Sequence, residues 1–159
     1  MPVPSDDDLH LREALRLATE SAGSGGGPFG AVIVKNGQVI ARGTNGVVSG
    51  CDPTAHAEVT AIRAACESLG THLLAGCTLY SSCEPCPMCL GAIYWSRLER
   101  LVFAGGRDDA AAAGFDDARL YDELPLPAGE RSLATERRLA DEGRGPFEAW
   151  ARFSDRVPY

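Results

Sequence analysis

No stretch of this chain is apolar enough to cross a bilayer. A helical span needs about 18 or more consecutive apolar residues, and no run here approaches that. A membrane partner is therefore not expected. The basic-then-apolar opening of a secretory leader is also missing: Met1-Pro2-Val3-Pro4-Ser5-Asp6-Asp7-Asp8 is acidic. The expected compartment is the cytoplasm, where the six cysteines need not pair. Positive charge is in deficit, with 15 basic against 22 acidic residues and a net charge of −7. Nucleic-acid binders usually carry a basic patch or stripe. Even the arginine-rich stretch 130–159 balances six arginines against six carboxylates, so no nucleic-acid partner is expected. The glycine-rich break at 21–28 lacks the Gly-Lys-Ser/Thr ending of a phosphate loop and follows no strand, so it reads as a turn. There is no internal repeat and no linker. With 159 residues, 45% of them hydrophobic, the chain suits one domain over 1–159.

What the chain does have is concentrated between Cys51 and Trp95. His56-Ala57-Glu58 is followed by Pro85-Cys86-Pro87-Met88-Cys89. One imidazole and two thiols match the nitrogen and sulfur preference of Zn²⁺, and three protein ligands leave a fourth position for water. Cys86 and Cys89 are three apart and face the same way on a helical turn. Pro85 and Pro87 suit the start of that helix, whose N-terminus favours thiolate over thiol. A Cys-x-x-Cys pair alone is often a redox or structural pair; the upstream His-x-Glu is what turns the reading toward catalysis. Residues two apart in an ideal helix point about 200° away from each other. His56 and Glu58 can share a site only at an irregular helix start or by side-chain reach, and both remain open. Cys51, Cys66, Cys77 and Cys83 read as small buried or half-buried apolar residues.

The periodicity supplies the frame. Leu11, Leu15, Ala18 and Ala22 make one helical face, with Ser5 as N-cap. Val- and Ile-rich strands at 29–35 and 38–43 flank Asn36-Gly37, a hairpin turn in which both residues take positive φ. A helix over 55–69 carries His56 and Glu58 and stops at Gly70. A strand at 77–81 leads to a second helix at 86–96, then to a parallel strand at 101–104. Residues 116–124 read as a short helix. Residues 132–141 look helical by propensity. Phe147, Trp150 and Phe153 form the apolar stripe of a C-terminal helix, read as core packing.

The runs Asp52-Pro53-Thr54-Ala55-His56-Ala57-Glu58 and Ser82-Cys83-Glu84-Pro85-Cys86-Pro87-Met88-Cys89 resemble the cytidine deaminase-like superfamily, whose zinc enzymes share H-x-E…P-C-x-x-C. With Gly27-Pro28-Phe29-Gly30, Ala113-Gly114-Phe115-Asp116-Asp117 and Pro146-Phe147-Glu148-Ala149-Trp150, the chain is similar to the bacterial guanine deaminases over nearly its whole length. The resemblance implies a three-layer α/β/α fold with a mixed central sheet, and a strand within 132–141. It implies one Zn²⁺ per chain on His56, Cys86 and Cys89, with Glu58 as proton shuttle and Asp117 as a second carboxylate near the leaving amine. Cys83 is not a ligand in the superfamily pattern.

Asn45 would bind the substrate, where its residue type alone reads equally well as a turn. Ala57, Phe29 and Trp95 are further substrate candidates; Phe29 and Trp95 are also good core residues. The expected reaction is hydrolytic deamination of a free nucleobase, guanine to xanthine and ammonia. Cytosine, a nucleoside (guanosine or cytidine) and an aminotriazine are alternative substrates. A tRNA adenosine deaminase and an inactive zinc-stabilised interaction domain are the more distant rivals. Bacterial guanine deaminases form homodimers with exchanged C-terminal segments, so 143–159 would be a swapped helix and tail, with Tyr159 closing a pocket.

Overall fold

The computed structural model describes residues 6–159; the proposed cap Ser5 lies outside them. The chain forms two compact units, one ending at Asp117 and the other spanning Ala118–Tyr159. In the first unit the elements are α1 (Asp6–Gly23), β1 (Gly30–Lys35), β2 (Gln38–Thr44), α2 (Ala57–Leu69), β3 (Cys77–Cys83), α3 (Pro87–Trp95), β4 (Arg100–Gly105) and α4 (Arg107–Ala112). The sheet order is β2-β1-β3-β4. β1 is antiparallel to β2 and β3, and β3 is parallel to β4. The mixed sheet is expected from the sequence: Asn36 and Gly37 take φ of 50° and 75° and close the hairpin, while α3 supplies the crossover that a parallel pair requires.

Alternation along the strands sorts side chains to two faces. Val32, Val34 and Tyr80 meet α1, whereas Ala31, Ile33, Cys77 and Leu79 meet Ala57, Ala61, Ile62 and Ala65 of α2 and Ile93 of α3. The first unit is thus layered as α1, sheet, then α2 with α3. A bidentate pair anchors the first layer: Arg100 donates to both oxygens of Asp7 at 2.7 and 2.6 Å, and the Tyr80 hydroxyl donates to Oδ1 at 2.7 Å. Arg100 first, then Tyr80, holds the Asp7 carboxyl down to about 2. Burial and the same carboxylate push Tyr80 up to about 12.

Both helices facing the sheet approach it through glycine. A Cβ on Gly30 would overlap the Ala14 carbonyl and lie 2.7 Å from Ala18 N. A Cβ on Gly43 would overlap the Ala57 carbonyl and lie 2.6 Å from Ala61 N. This contact rotates the expected face of α1, keeping Leu11 and Ala18 and replacing Leu15 and Ala22. The buried residues are Ala14 and Ala18, flanked by Leu11 and Leu17, while Leu15 is 40% exposed and Ala22 is exposed. Where backbones come this close, small size rather than apolar bulk decides which side chain faces inward. Gly70 ends α2 in the left-handed conformation (φ 64°), its N–H reaching the Cys66 and Glu67 carbonyls.

The second unit contains α5 (Ala118–Glu123), two short 3₁₀ turns and α6 (Gly145–Arg152). Residues 132–141 are neither strand nor helix. Leu133, Thr135 and Arg137 alternate poorly and have no apolar face to commit to a sheet. No residue of this unit is buried. Phe147, Trp150 and Phe153 are 75%, 44% and 57% exposed, so the stripe is not packed into a core of the chain as the periodicity suggested. Among the described residues, no helix is long and apolar enough to cross a membrane.

Gly43→Ala should destabilise the protein by about 1–3 kcal/mol, the usual cost of overpacking a filled interior. Chemical denaturation followed by circular dichroism would measure it, and an unchanged midpoint would refute the close-approach argument.

Candidate metal centre

Two helix starts converge. His56 is the N-cap of α2 and Cys86 the N-cap of α3, both with extended backbone (φ −69°, ψ 156° and φ −64°, ψ 167°). Neither side chain caps its own helix; each turns toward the other. His56 Nδ1 lies 3.6 Å from Cys86 Sγ and 3.4 Å from Cys89 Sγ, and the two sulfurs are 3.6 Å apart. A tetrahedral zinc with Zn–S of about 2.3 Å and Zn–N of about 2.0 Å has S···S edges of about 3.8 Å and N···S edges of about 3.5 Å. The observed triangle has the dimensions of one face of that tetrahedron. Hard cations such as Ca²⁺ and Mg²⁺ take oxygen ligands, so one nitrogen and two sulfurs fit zinc. Among the described residues these three side chains are the one such cluster.

The electrostatics agree. The contact with Cys89, then that with His56, holds the Cys86 thiol well below its ordinary value. The same contact, then burial, pushes Cys89 up. Two adjacent buried sulfurs resist ionising together, and a divalent cation between them removes the conflict. The contact with Cys86 raises the His56 imidazole. Pro87 occupies the first turn of α3, where its missing N–H costs nothing. The positive ends of α2 and α3 both favour negative ligands there.

Glu58 joins the cluster because α2 begins only at Ala57. With His56 outside the helix, the opposed directions of an ideal helical pair do not apply. Glu58 is 5% exposed. Its Oε1 accepts a hydrogen bond from Ser81 Oγ at 3.0 Å, and its Oε2 lies 3.4 Å from Cys89 Sγ. Burial raises its pKa, and hydrogen bonds, Ser81's among them, oppose the rise. Ser81 is a residue that the sequence reading missed. The signal was the β3 alternation: Cys77, Leu79 and Ser81 share the face toward α2 and are all essentially inaccessible. A hydroxyl at the third of these apolar positions marks a polar partner across the layer.

The remaining candidates have contacts of their own. Asn45 follows β2; its Oδ1 accepts from Val47 N at 3.2 Å and its backbone N donates to the Phe29 carbonyl at 3.3 Å. Gly27 presses on it, since a Cβ there would lie 2.9 Å from Asn45 Cγ. An open cleft of about 370 Å³ borders Asn45 together with Glu20, Ser21, Thr44 and Ser49. It contains none of the metal-cluster residues and not Glu58. Phe29 meets Phe115 edge to face, with centroids 5.0 Å apart and planes at 86°, and packs on the core. Asp117 accepts from Arg107 Nε at 3.4 Å. The Ala57 side chain is fully buried against the sheet, which leaves its backbone at the α2 start as the part near His56. Trp95 ends α3, about 13 Å along the helix from the Cys86 cap at 1.5 Å per residue, and is 62% exposed. The structure does not bring it to the metal cluster. Tyr159, in the second unit, is 73% exposed. Cys83 Sγ donates to the Gly106 carbonyl at 3.6 Å, outside the triangle. Cys51 is exposed, not buried, in a loop at φ 50°; Cys66 and Cys83 are half-buried and Cys77 buried.

Comparison with known proteins supplies the context. Residues 4–105 match the cytidine and deoxycytidylate deaminase zinc-binding region. The chain is 53% identical over 153 residues to the guanine deaminase of Bacillus subtilis (strain 168), covering 96% of this chain and 98% of that protein. It superposes on the X-ray structure of guanine deaminase from Bacillus subtilis with a TM-score of 0.93 at 52% identity, over 95% of this chain and 97% of the other. The tRNA-specific adenosine deaminase of Bacillus subtilis is 46% identical over 99 residues, 62% of each chain.

Replacing His56, Cys86 or Cys89 by Ala should each lower bound zinc, read by inductively coupled plasma mass spectrometry. A Cys86→Ala protein that kept zinc as tightly as the parent would break the ligand assignment.

Proposed function

The chain belongs to the cytidine and deoxycytidylate deaminase zinc-binding family, and on that premise we propose that it hydrolyses guanine to xanthine and ammonia in the cytoplasm. One zinc per chain would sit on His56, Cys86 and Cys89. When bound, zinc supplies a Lewis acid that makes water nucleophilic near neutral pH. Glu58, buried beside the triangle, would take a proton from the attacking water. The water oxygen adds to the ring carbon bearing the amine; Glu58 gives that first proton to the adjacent ring nitrogen, then carries the second proton from the added hydroxyl to the leaving nitrogen. The C–N bond breaks, ammonia departs, and the oxygen remains as the new carbonyl. Asp117 serves as the second carboxylate at the leaving amine, oriented by Arg107. Asn45 reads the base edge. Its Oδ1 is engaged by Val47 N–H, which directs its NH₂ donor toward an acceptor on the base. Phe29 and the Ala57 backbone line the base pocket.

The observation that carries the choice of guanine is the extent of the likeness. An alignment at 53% identity over 96% of the chain must run through most of Ala118–Tyr159, whereas the likeness to tRNA-specific adenosine deaminases falls to 38% identity where it extends to 84% of the chain. The net charge of −7 also opposes binding to tRNA. We take 1–159 as one catalytic domain acting as a homodimer, with 143–159 exchanged between subunits. The exposure of Phe147, Trp150, Phe153 and Tyr159 supports this, because a stripe of large apolar side chains left in water is the mark of a protein contact. Tyr159 would close a pocket over the base.

On metal-loaded protein, a panel of guanine, adenine, cytosine, guanosine, cytidine and an aminotriazine should release ammonia fastest from guanine; a pocket with polar partners rejects bases that leave them unpaired. Glu58→Gln should keep zinc and fold while losing about 10²–10⁴-fold in kcat, the typical range for a general acid–base group. Preference for cytosine or the triazine would overturn the substrate and spare the chemistry, whereas an active Glu58→Gln protein would overturn the mechanism. Deleting 156–159 should cut turnover sharply while zinc and the dimer persist. A fully active truncation, or a monomer by sedimentation, would dismiss the exchanged lid.

A further inference from the structure

We infer that Ser81 is a positioning residue for Glu58, fixing which of the two carboxylate oxygens does the proton transfer. The inference rests on the reading of Glu58 as the proton carrier. Ser81 sits on β3, opposite Ala31 on one side and Phe103 on the other, and is 1% exposed. Its hydroxyl is 3.0 Å from Glu58 Oε1. A carboxylate at this depth is costly to ionise unless its lone pairs meet donors. Oε2 faces Cys89 Sγ at 3.4 Å. Once Cys89 serves as a thiolate ligand it has no proton to give, so Oε2 is the oxygen left facing the metal cluster. Oε1 is tethered to the sheet and Oε2 exchanges protons.

The division has a mechanical basis. Glu58 has three rotatable side-chain bonds and lies in the first turn of α2, where no preceding turn packs against it. Without a tether its carboxylate can rotate. β3 is an inner strand that pairs with both β1 and β4, so the hydroxyl is held by backbone bonded on both sides. One hydrogen bond thus ties the start of α2 to β3 at the point where the chemistry occurs. Conserving position within a fraction of an ångström is what such a support provides.

Thr and Val are isosteric and differ at the Oγ, and both suit a strand. Any crowding of the extra methyl is therefore common to Ser81→Thr and Ser81→Val, and Ser81→Ala removes the hydroxyl without crowding. Ser81→Val and Ser81→Ala should lose about 10–100-fold in kcat, the usual effect of removing an outer support of a metal site. KM and zinc content should stay at parental values. Ser81→Thr should recover kcat to within a few-fold of the parent. Parental kcat in Ser81→Val, equal losses in the Thr and Val proteins, or a loss carried by KM or zinc content would overturn the inference. A parent chain that prefers another base would revise the substrate and leave the Thr–Val contrast standing. If the parent turns over none of the bases, crystal structures of the two variants decide. Oε1 held in Ser81→Thr and rotated away in Ser81→Val supports the tether; the same Glu58 conformer in both overturns it.

Discussion

Everything at the metal centre depends on how closely the α2 backbone lies on the sheet. Gly43 on β2 faces Ala57 and Ala61 with no side chain between. That contact fixes where α2 begins, and the beginning of α2 is where His56 and Glu58 diverge from helical geometry. A side chain at 43 would push the helix outward, carrying Glu58 away from Ser81 and His56 away from the two sulfurs. The same economy of space recurs on the other face, where Gly30 admits α1 against β1. The sheet is held between two helices at near backbone contact, and the positions of the reactive groups are consequences of that spacing.

Much of this was legible in the residues. Asn36-Gly37 declared its turn because few other pairs tolerate positive φ twice. The ligand triad was legible because the spacing of Cys86 and Cys89 is the spacing of one helical turn. The geometry relating His56 to Glu58 was not, since it depends on a cap residue with extended backbone, and local sequence does not specify where the first helical turn closes. The α1 face was half legible: Leu11 and Ala18 turn inward as the spacing suggested, whereas Ala14 and Leu17 stand inward where Leu15 and Ala22 were expected, because the close approach at Gly30 sets the rotation of the helix. The strand expected within 132–141 came from resemblance alone, and the weak alternation at Leu133 and Thr135 had already pointed against it. Ser81 was overlooked because a serine in a strand ordinarily faces solvent; only the partner across the layer gives it meaning.

The site also illustrates how a buried acid is kept serviceable. Burial drives Glu58 toward its neutral form, and hydrogen bonds from its own backbone N–H, then from Ser81, draw it back. Neither influence alone would suit a group that, on the proposed reading, both accepts and releases a proton. Cys86 stands at the opposite extreme, a thiolate favoured by its neighbours and by the helix start.

The cap positions of α2 and α3 carry one more consequence. Caps are ordinarily Ser, Thr, Asp or Asn, whose oxygens hold the free N–H groups of the first turn. Here both caps are given to His56 and Cys86, and neither bonds its helix. Each helix gives up a local source of stability so that its first residue can face the other. A cation on these ligands ties the two starts together, and its binding energy becomes part of the folding energy. The melting temperature of this protein will therefore read as a titration curve of free zinc, rising with the logarithm of its concentration once the site is saturated.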